Sequence, residues 1–248
     1  MINYSNKKVI IADVDDTICE SCQIISDQMV EKISELVSNG YEFAFISGTK
    51  SESLQRMISS KLKVKHHILG TTGTNYTLVE EDGSTKIVYS YSLTNEEKKE
   101  IINAFDKIIE HYNIQSLTTK EDQVQDRDSQ ITLSAIGRHA PTESKANYDP
   151  DGKIRLKWIE FLKNHLDSEK YHMKIGGTTS IDITKRGFDK EWGIRKFAEH
   201  HKINHSRIIF FGDKLYPGGN DYPATRIVDC IAVKNPDDTL NKLKEIFN

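Results

Sequence analysis

The chain has 248 residues, a net charge of −3 with acidic and basic residues interspersed, and three cysteines. This length suits one large domain or two small ones, and the charge pattern excludes the electrostatic footprint of a nucleic-acid-binding protein. No apolar stretch is long enough to span a membrane, residues 1–8 are too polar for a signal peptide, and the cysteines are too few for a disulfide framework, so we expect a cytoplasmic protein.

Short apolar runs predict buried strands of a parallel sheet that is covered on both faces. In chain order they are Val9–Ala12, Phe43–Ile46, Ile208–Phe211 and Cys230–Val233. Helical patterns cover Asp27–Ser38, a segment from a Thr49 cap through Ile58, and Pro236–Phe247. The alternation of strands and helices predicts a doubly wound, Rossmann-like α/β core.

The middle of the chain interrupts this alternation. Helical patterns cover Asn95–Tyr112, which carries an apolar stripe, and Lys153–His165. Gln130–Ile136 alternates like a half-buried antiparallel strand, and Tyr171–Ile175 and Ser180–Ile183 form a hairpin pattern around two glycines. We therefore expect residues 1–91 and 186–248 to form the core and residues 92–185 to form an inserted α+β domain.

Two carboxylates, Asp13 and Asp15, follow the first apolar run in an i, i+2 relation. At the end of an extended strand their side chains point to the same side, where they repel unless a cation or a shared proton separates them. The pattern suits a carboxylate nucleophile beside a carboxyl acid–base group, with a hard metal such as Mg²⁺ screening both. For the motif alone, a solvated acidic turn is the alternative.

Polar residues follow two further predicted strands, Ser47-Gly48 after the second and Gly212-Asp213 after the third. Ligands of doubly wound sheets bind at the carboxyl ends of the strands. With Asp13, these residues predict a functional site at one edge of the sheet. Cys19 and Cys22 lie directly after the acidic motif, and we interpret them as ordinary thiols of a loop, with a redox role as the alternative.

These residues resemble the haloacid dehalogenase (HAD) superfamily of phosphotransferases. The motifs that carry the resemblance are Asp13-x-Asp15-x-Thr17, Ser47 at a strand end, Lys190, and Gly212-Asp213 with Asp221. The resemblance implies that Asp13 attacks phosphorus and becomes an aspartyl-phosphate, while Asp15 acts as general acid and base.

The resemblance also assigns the other groups of this site. Ser47, the amide beside it at Gly48, and Lys190 would hold the transferring phosphoryl oxygens. Mg²⁺ would bind the Asp13 carboxylate, the Asp15 carbonyl and Asp213, with Asp221 completing or supporting that shell.

Within the superfamily, the chain is most similar to the branch with a type IIB cap that contains the eukaryotic-type phosphomannomutases. The similarity covers nearly the whole chain and is carried by Ile209–Lys214 with Pro217–Asp221, Ser134–Arg138, Gly176–Asp182 and Gly187–Lys190. It implies that residues 92–185 form a cap domain that binds the phosphate not undergoing transfer and the sugar hydroxyls. Carried over by position, the binding residues are Arg127, Arg138, Lys145, Ser180 and Asp182.

The chain departs from the branch pattern at several positions. Asp16 stands where the branch usually has Gly, and Lys145 stands where a third cap arginine is usual, which keeps the charge but loses the planar fork. Ile46–Thr49 lacks the glycine-rich form of the mutases, and Gly70–Gly73 lacks their Glu-Asn-Gly. These differences bear on mutase activity more than on phosphotransfer.

Two activities share every implied catalytic residue. A phosphomannomutase, which interconverts hexose 1-phosphate and 6-phosphate, is favoured by the arginine pair Arg127 and Arg138. A sugar-phosphate phosphatase is favoured by Lys145 and the altered Ser47 region. A non-catalytic phosphosugar-binding protein is the alternative from another class.

The resemblance also implies a homodimer through the cap, which an exposed apolar stripe on Asn95–Tyr112 would fit. Nucleic acid and membrane are not expected partners.

Overall fold

A computed structural model describes residues 2–247 of the chain. Met1 and Asn248, which the predicted core includes, lie outside the described residues. The chain divides into two compact units, unit 1 up to Ser90 and from Phe188 onward, and unit 2 over Tyr91–Gly187. Within residues 2–247, every helix is too short or too polar to cross a lipid bilayer.

The secondary-structure elements are numbered in chain order. The strands are β1 Val9–Ala12, β2 Glu42–Ile46, β3 His66–Gly70, β4 Asn75–Val79, β5 Thr85–Ser90, β6 Val124–Asp126, β7 Gln130–Ser134, β8 Tyr171–Gly176, β9 Ser180–Lys185, β10 Ile208–Gly212 and β11 Asp229–Ala232. The helices are α1 Asp27–Ser38, α2 Ser51–Leu54, α3 Asn95–His111, α4 Lys120–Gln123, α5 Thr142–Tyr148, α6 Lys153–Lys163, α7 Lys190–His201 and α8 Pro236–Ile246. A π-helical turn, Gln55–Ser59, continues α2, and 3₁₀ turns lie at Tyr4–Asn6, Thr71–Gly73, His205–Arg207 and Tyr222–Arg226.

The sheet of unit 1 has the order β11-β10-β1-β2-β3-β4-β5. The strands from β11 to β3 are parallel, and β4 and β5 extend the edge antiparallel. Side chains alternate along β1, so Ile10 packs with α1 and α8 on one face while Ile11 packs with α7 on the other. Helices thus cover both faces, which confirms the predicted doubly wound α/β fold.

The predicted Thr49 cap of the second helix is wrong. The helix begins at Ser51 after Lys50, whose side chain makes no capping hydrogen bond. Thr49 belongs instead to the turn after β2, where its N–H donates to Ser47 Oγ at 3.1 Å and its carbonyl accepts from Thr71 N at 2.9 Å. The turn that carries Ser47 is therefore fixed by its own hydrogen bonds.

Unit 2 has an antiparallel sheet in the order β6-β7-β9-β8, with α3 and α6 packed on it. Its strand β7 is buried along its whole length rather than half-buried, because the polar side chains on one face find partners. Thr132 Oγ1, for example, donates to Asp182 Oδ1 at 2.7 Å.

The apolar stripe of α3 is not exposed, contrary to expectation. Ile101, Phe105 and Ile108 are fully buried in the apolar core of unit 2, together with Trp158 and Leu162. These side chains therefore stabilise unit 2 itself, while Ile102 and Ile109 of the same helix are partly buried against that core.

Candidate active site

Asp13 is the first residue after β1 and remains fixed by the sheet. Its N–H donates to Phe211 O of the neighbouring β10 at 2.9 Å, so the carboxylate leaves the sheet at the carboxyl ends of two central strands. The residue is only 4% exposed. A buried carboxylate at this position requires a compensating charge.

Lys190 supplies that charge. Its ammonium group, 1% exposed, donates to both Asp13 Oδ1 and Asp221 Oδ1. Lys190 is the first residue of α7, whose start is set by the Asp189 side chain accepting from Trp192 N at 3.0 Å. The N-cap of the helix thus places the lysine.

The electrostatics of this group depend on its burial. Burial raises the pKa of Asp13 to about 7; the charge of Lys190 opposes this shift, while Asp221 and Asp213 add to it. Burial alone would lower the pKa of Lys190, but the charges of Asp13 and Asp221 raise it, so the ammonium group stays charged. A divalent cation beside Asp13 would favour the ionised, nucleophilic carboxylate.

Three carboxylates converge here in a way that suits such a cation. One oxygen from each of Asp13, Asp213 and Asp221 lies within 4.8 Å of the others, the one such group among residues 2–247. Asp221 is wholly buried and accepts from Lys214 N at 2.9 Å, and a Cβ on Gly212 would lie 2.6 Å from its Oδ2. Glycine at the end of β10 therefore allows Asp221 to approach, and the all-oxygen donor set fits Mg²⁺.

The carboxylate of Asp15 has different partners. It accepts from Ser47 Oγ at 3.4 Å, Ser21 Oγ at 3.1 Å and Cys22 N at 3.0 Å. Among residues 2–247, the three-carboxylate group does not include it. The two acids of the D-x-D motif thus occupy separate hydrogen-bonding environments, and the predicted Asp15 metal ligand is its backbone carbonyl, not its side chain.

Ser47 and Gly48 lie directly after β2. Ser47 is buried and its N–H donates to Leu69 O at 3.2 Å, which extends the sheet by one residue. A Cβ on Gly48 would meet no atom within 4 Å, so the backbone beside Ser47 borders open space. This is compatible with the predicted contact of the Gly48 amide with a ligand.

The backbone of the loop after β1 explains the departure at Asp16. Asp16 has φ +61°, in the left-handed region where Gly is favoured and Asp is tolerated. Its N–H donates to Cys19 O at 2.8 Å, which closes the loop.

Burial, helped by the charges of Asp15 and Asp13, raises the pKa of Cys19 to about 12, which favours the interpretation of this residue as an ordinary thiol.

In unit 2 the structure brings the predicted arginines together. Arg127 Nη2 and Arg138 Nη1 donate to the same atom, Gln125 Oε1, at 2.9 and 3.5 Å. Lys145 Nζ, by contrast, donates to the backbone carbonyl of Arg138 at 3.0 Å. Lys145, the third predicted phosphate-binding cation, therefore contacts the backbone of Arg138.

Ser180 and Asp182 lie two residues apart on β9 and so share one face of the sheet. Burial lowers the pKa of Arg127, and the charge of Asp182 opposes this shift. Arg127 and Asp182 therefore interact electrostatically, whereas Ser180 is placed by its pairing with Ser134 and Gly176.

Sequence reasoning missed Ser21, Lys214 and Gln125. Gln125 had a usable signal, because it lies two residues before Arg127 on an extended segment and shares its face. Lys214 Nζ donates to the adjacent Asp213 at 2.6 Å, but neither it nor Ser21 belongs to a residue pattern that predicts such contacts.

Comparison with known proteins shows to which family the chain is similar. The sequence model described as eukaryotic phosphomannomutase matches residues 30–248. The phosphomannomutase of Saccharomyces cerevisiae is 29% identical over 248 residues, which is 97% of this chain and 94% of the relative.

Solved structures share the fold. An N-terminally truncated IMP-nucleotidase of Plasmodium falciparum has a TM-score of 0.69 at 18% identity, covering 99% of this chain and 71% of that one. A phosphatase of the HAD enzyme superfamily from Bacteroides thetaiotaomicron has a TM-score of 0.63 at 13% identity, covering 97% and 95%.

The doubly wound sheet, the carboxylates at its edge and these similarities define an enzyme of the HAD superfamily, in the class of phosphotransferases and phosphatases. Within that class, the chain belongs to the eukaryotic phosphomannomutase family. The predicted superfamily and branch are confirmed, while the roles of single residues stay predictions.

Proposed function

We propose that this enzyme is a Mg²⁺-dependent phosphomannomutase that interconverts hexose 1-phosphates and 6-phosphates through an aspartyl-phosphate on Asp13. The observation that carries the proposal is the buried group in which Lys190 contacts Asp13 and Asp221 beside Asp213. Such a group combines a carboxylate nucleophile with a fixed cation and a set of hard ligands.

In the proposed reaction, Asp13 attacks phosphorus, forming an acyl phosphate bond as the bond to the sugar oxygen breaks. Asp15 gives its proton to that oxygen, and its carboxylate later takes a proton from the hydroxyl that attacks the phosphorylated Asp13. Lys190 and Ser47 would hold the phosphoryl oxygens. Mg²⁺, held by Asp13, Asp213, Asp221 and the Asp15 carbonyl, would offset the charge of the phosphoryl group.

A sugar-phosphate phosphatase is the second candidate. Its specific support is Lys145, which donates to a backbone carbonyl and leaves two arginines rather than three cations for a second phosphate. In this case water, rather than a sugar hydroxyl, would attack the phosphorylated Asp13.

One assay separates the two activities. The enzyme is incubated with mannose 1-phosphate, Mg²⁺ and a trace of hexose 1,6-bisphosphate, and both the 6-phosphate and free phosphate are measured. We expect the 6-phosphate without free phosphate; prompt phosphate release without the isomer would overturn the mutase. Asp13→Asn should abolish turnover and keep ligand affinity. A non-catalytic binding protein would keep its ligand affinity and would have no turnover to lose.

The proposed partner is a small phosphosugar, and the proposed location is the cytoplasm, where three free thiols remain reduced. The homodimer rests on the family resemblance alone, because the α3 stripe is buried. Sedimentation equilibrium of the purified chain measures its oligomeric state directly.

A further inference from the structure

The side-chain oxygen of Gln125, which belongs to an uncharged amide, accepts hydrogen bonds from two guanidinium groups. Its Oε1 accepts from Arg127 at 2.9 Å and from Arg138 at 3.5 Å, and its Nε2 donates to the carbonyl of Asp122 at 2.9 Å. Because the Nε2 has a carbonyl acceptor, the amide is held with its oxygen towards the arginines. Among residues 2–247, the Nε of Arg127 is buried and has no hydrogen-bond partner.

The backbone around Gln125 keeps this arrangement rigid. The Asp122 carbonyl that receives Gln125 Nε2 also accepts from Arg138 N at 3.1 Å, so one atom fixes both residues. The Asp122 carboxylate accepts from His139 N at 2.9 Å and from its Nδ1 at 2.5 Å, which holds the turn after Arg138. An open surface pocket of about 540 Å³ borders Gln125 and Arg138.

A buried structural arginine of the same unit has different partners. Arg155 is 1% exposed, forms an ion pair with the buried Asp149 at 2.8 Å and donates to the carbonyls of Gly176 and Gly177. Among residues 2–247, neither Arg127 nor Arg138 has such a carboxylate partner. Unit 2 thus pairs the arginine that stabilises its fold directly with a carboxylate, whereas the other two donate to an amide oxygen and Asp182 acts on Arg127 without forming an ion pair.

We propose that Gln125 is a positioning residue for a phosphate monoester, because it holds the guanidinium groups of Arg127 and Arg138 side by side without neutralising them. The pair then keeps its positive charge for a phosphate dianion, which matches guanidinium donors in geometry. A carboxylate at this position would hold the arginines equally well but would compete with the ligand for them. The inference rests on the proposed function in that the ligand is a phosphosugar whose second phosphate binds Arg127 and Arg138.

Gln125→Glu tests the inference, since it keeps the size of the side chain and adds the competing charge. Binding of glucose 1,6-bisphosphate to the full chain is measured by calorimetry in the Asp13→Asn background, which prevents turnover. We expect an affinity loss of about tenfold, together with an unchanged or raised melting temperature of the ligand-free protein. A purely structural role would instead lower stability and affinity together.

Gln115→Glu is the matched control, because Gln115 is an exposed glutamine of the same unit that contacts Asn113. Its affinity should stay within twofold of the parent protein. An affinity loss below threefold for Gln125→Glu, or an equal loss for the control, would overturn the inference. Should Gln125→Glu fail to fold, Gln125→Met, which removes the shared acceptor, is judged by the same threefold limit.

Enzyme kinetics, measured with Asp13 left unchanged, distinguish this inference from the proposed function. With a phosphosugar, Gln125→Glu should raise KM and leave kcat nearly unchanged; with acetyl phosphate, which has no second anionic group, neither constant should change. If the unaltered chain transfers phosphate from no donor, the proposed function fails, while the calorimetric comparison still decides the role of Gln125.

Discussion

Lys190 and Asp13 form an ion pair in which the lysine side chain is 1% exposed and the aspartate side chain 5%. The same ammonium group contacts Asp221, whose side chain is wholly buried. One cation therefore compensates two carboxylates that are almost wholly removed from solvent, and its loss leaves both without that charge.

Removing that cation should destabilise the fold strongly. We expect Lys190→Met to lower the free energy of unfolding at pH 8 by about 3–5 kcal/mol, as for other broken buried pairs. The deficit should shrink towards pH 5, because Asp13, whose pKa burial raises, can then bind a proton in the folded state. Urea unfolding at both pH values measures this. Lys196→Met, on the outer part of the same helix, should cost below about 1 kcal/mol; an equal cost for both variants would contradict the prediction.

The three-carboxylate group should bind Mg²⁺. We expect chelation to abolish phosphotransfer and added Mg²⁺ to restore it, and we expect Mg²⁺ to raise the melting temperature of the unaltered chain. Asp213→Asn removes the negative charge of one ligand without touching Lys190 and should reduce that temperature shift by more than half at equal Mg²⁺. Asp237→Asn, an exposed carboxylate of α8, is the control and should keep the full shift.

The left-handed backbone at Asp16 predicts opposite outcomes for two substitutions. Asp16→Gly should leave the free energy of unfolding unchanged or slightly raised, because Gly adopts φ +61° without steric cost. Asp16→Val should cost about 1–3 kcal/mol, since a β-branched side chain is strained there. Urea unfolding of the two variants side by side is the measurement, and equal stabilities would show that the loop relaxes.

The buried histidines at the start of β3 should make the protein sensitive to acid. Burial, with smaller contributions from His201 and His66, lowers the pKa of His67 to about 3. The unfolded chain binds a proton on this residue near pH 6.5 and the folded chain does not, so its contribution to stability is complete above pH 6.5 and falls as the pH drops towards 3.

His67→Phe should therefore lose less stability than the unaltered chain between pH 7.5 and pH 5, by about 1.4 kcal/mol per pH unit below 6.5. Asp13, whose pKa is raised, acts in the opposite direction but is common to both proteins, so the difference between them isolates His67. Urea unfolding at the two pH values measures it. His111→Phe, an exposed site on α3, should show the slope of the unaltered chain.

The core strands were predictable because their residues are apolar without interruption, and α1 was predicted to the residue because the pattern beginning at Asp27 ends at Ser38. The strand β3 was missed because it begins with His66 and His67, polar residues that are buried with hydrogen-bond partners, such as the pair His67 Nδ1 and Tyr76 Oη at 2.7 Å. No apolar run can reveal a strand whose polar side chains find partners on other elements.

The helix α7 was missed for a related reason. Gly193 interrupts its pattern, yet a Cβ at this position would lie 2.3 Å from Thr72 O, so glycine allows the helix to pack against that turn. Likewise, the separate surroundings of Asp13 and Asp15 depend on the hydroxyl of Ser21 and the amide of Cys22, which sequence spacing does not place. In both cases the deciding contact is with another part of the chain.

The two units are built from different numbers of chain segments. Unit 2 is one uninterrupted segment with its own apolar core, whereas the carboxylates and the lysine of the candidate active site come from both segments of unit 1. A single genetic exchange between Tyr91 and Gly187 could therefore replace Arg127, Arg138, Lys145, Ser180 and Asp182 at once and leave the residues proposed for phosphoryl transfer in place. In such an architecture, substrate preference can change without a change of reaction type.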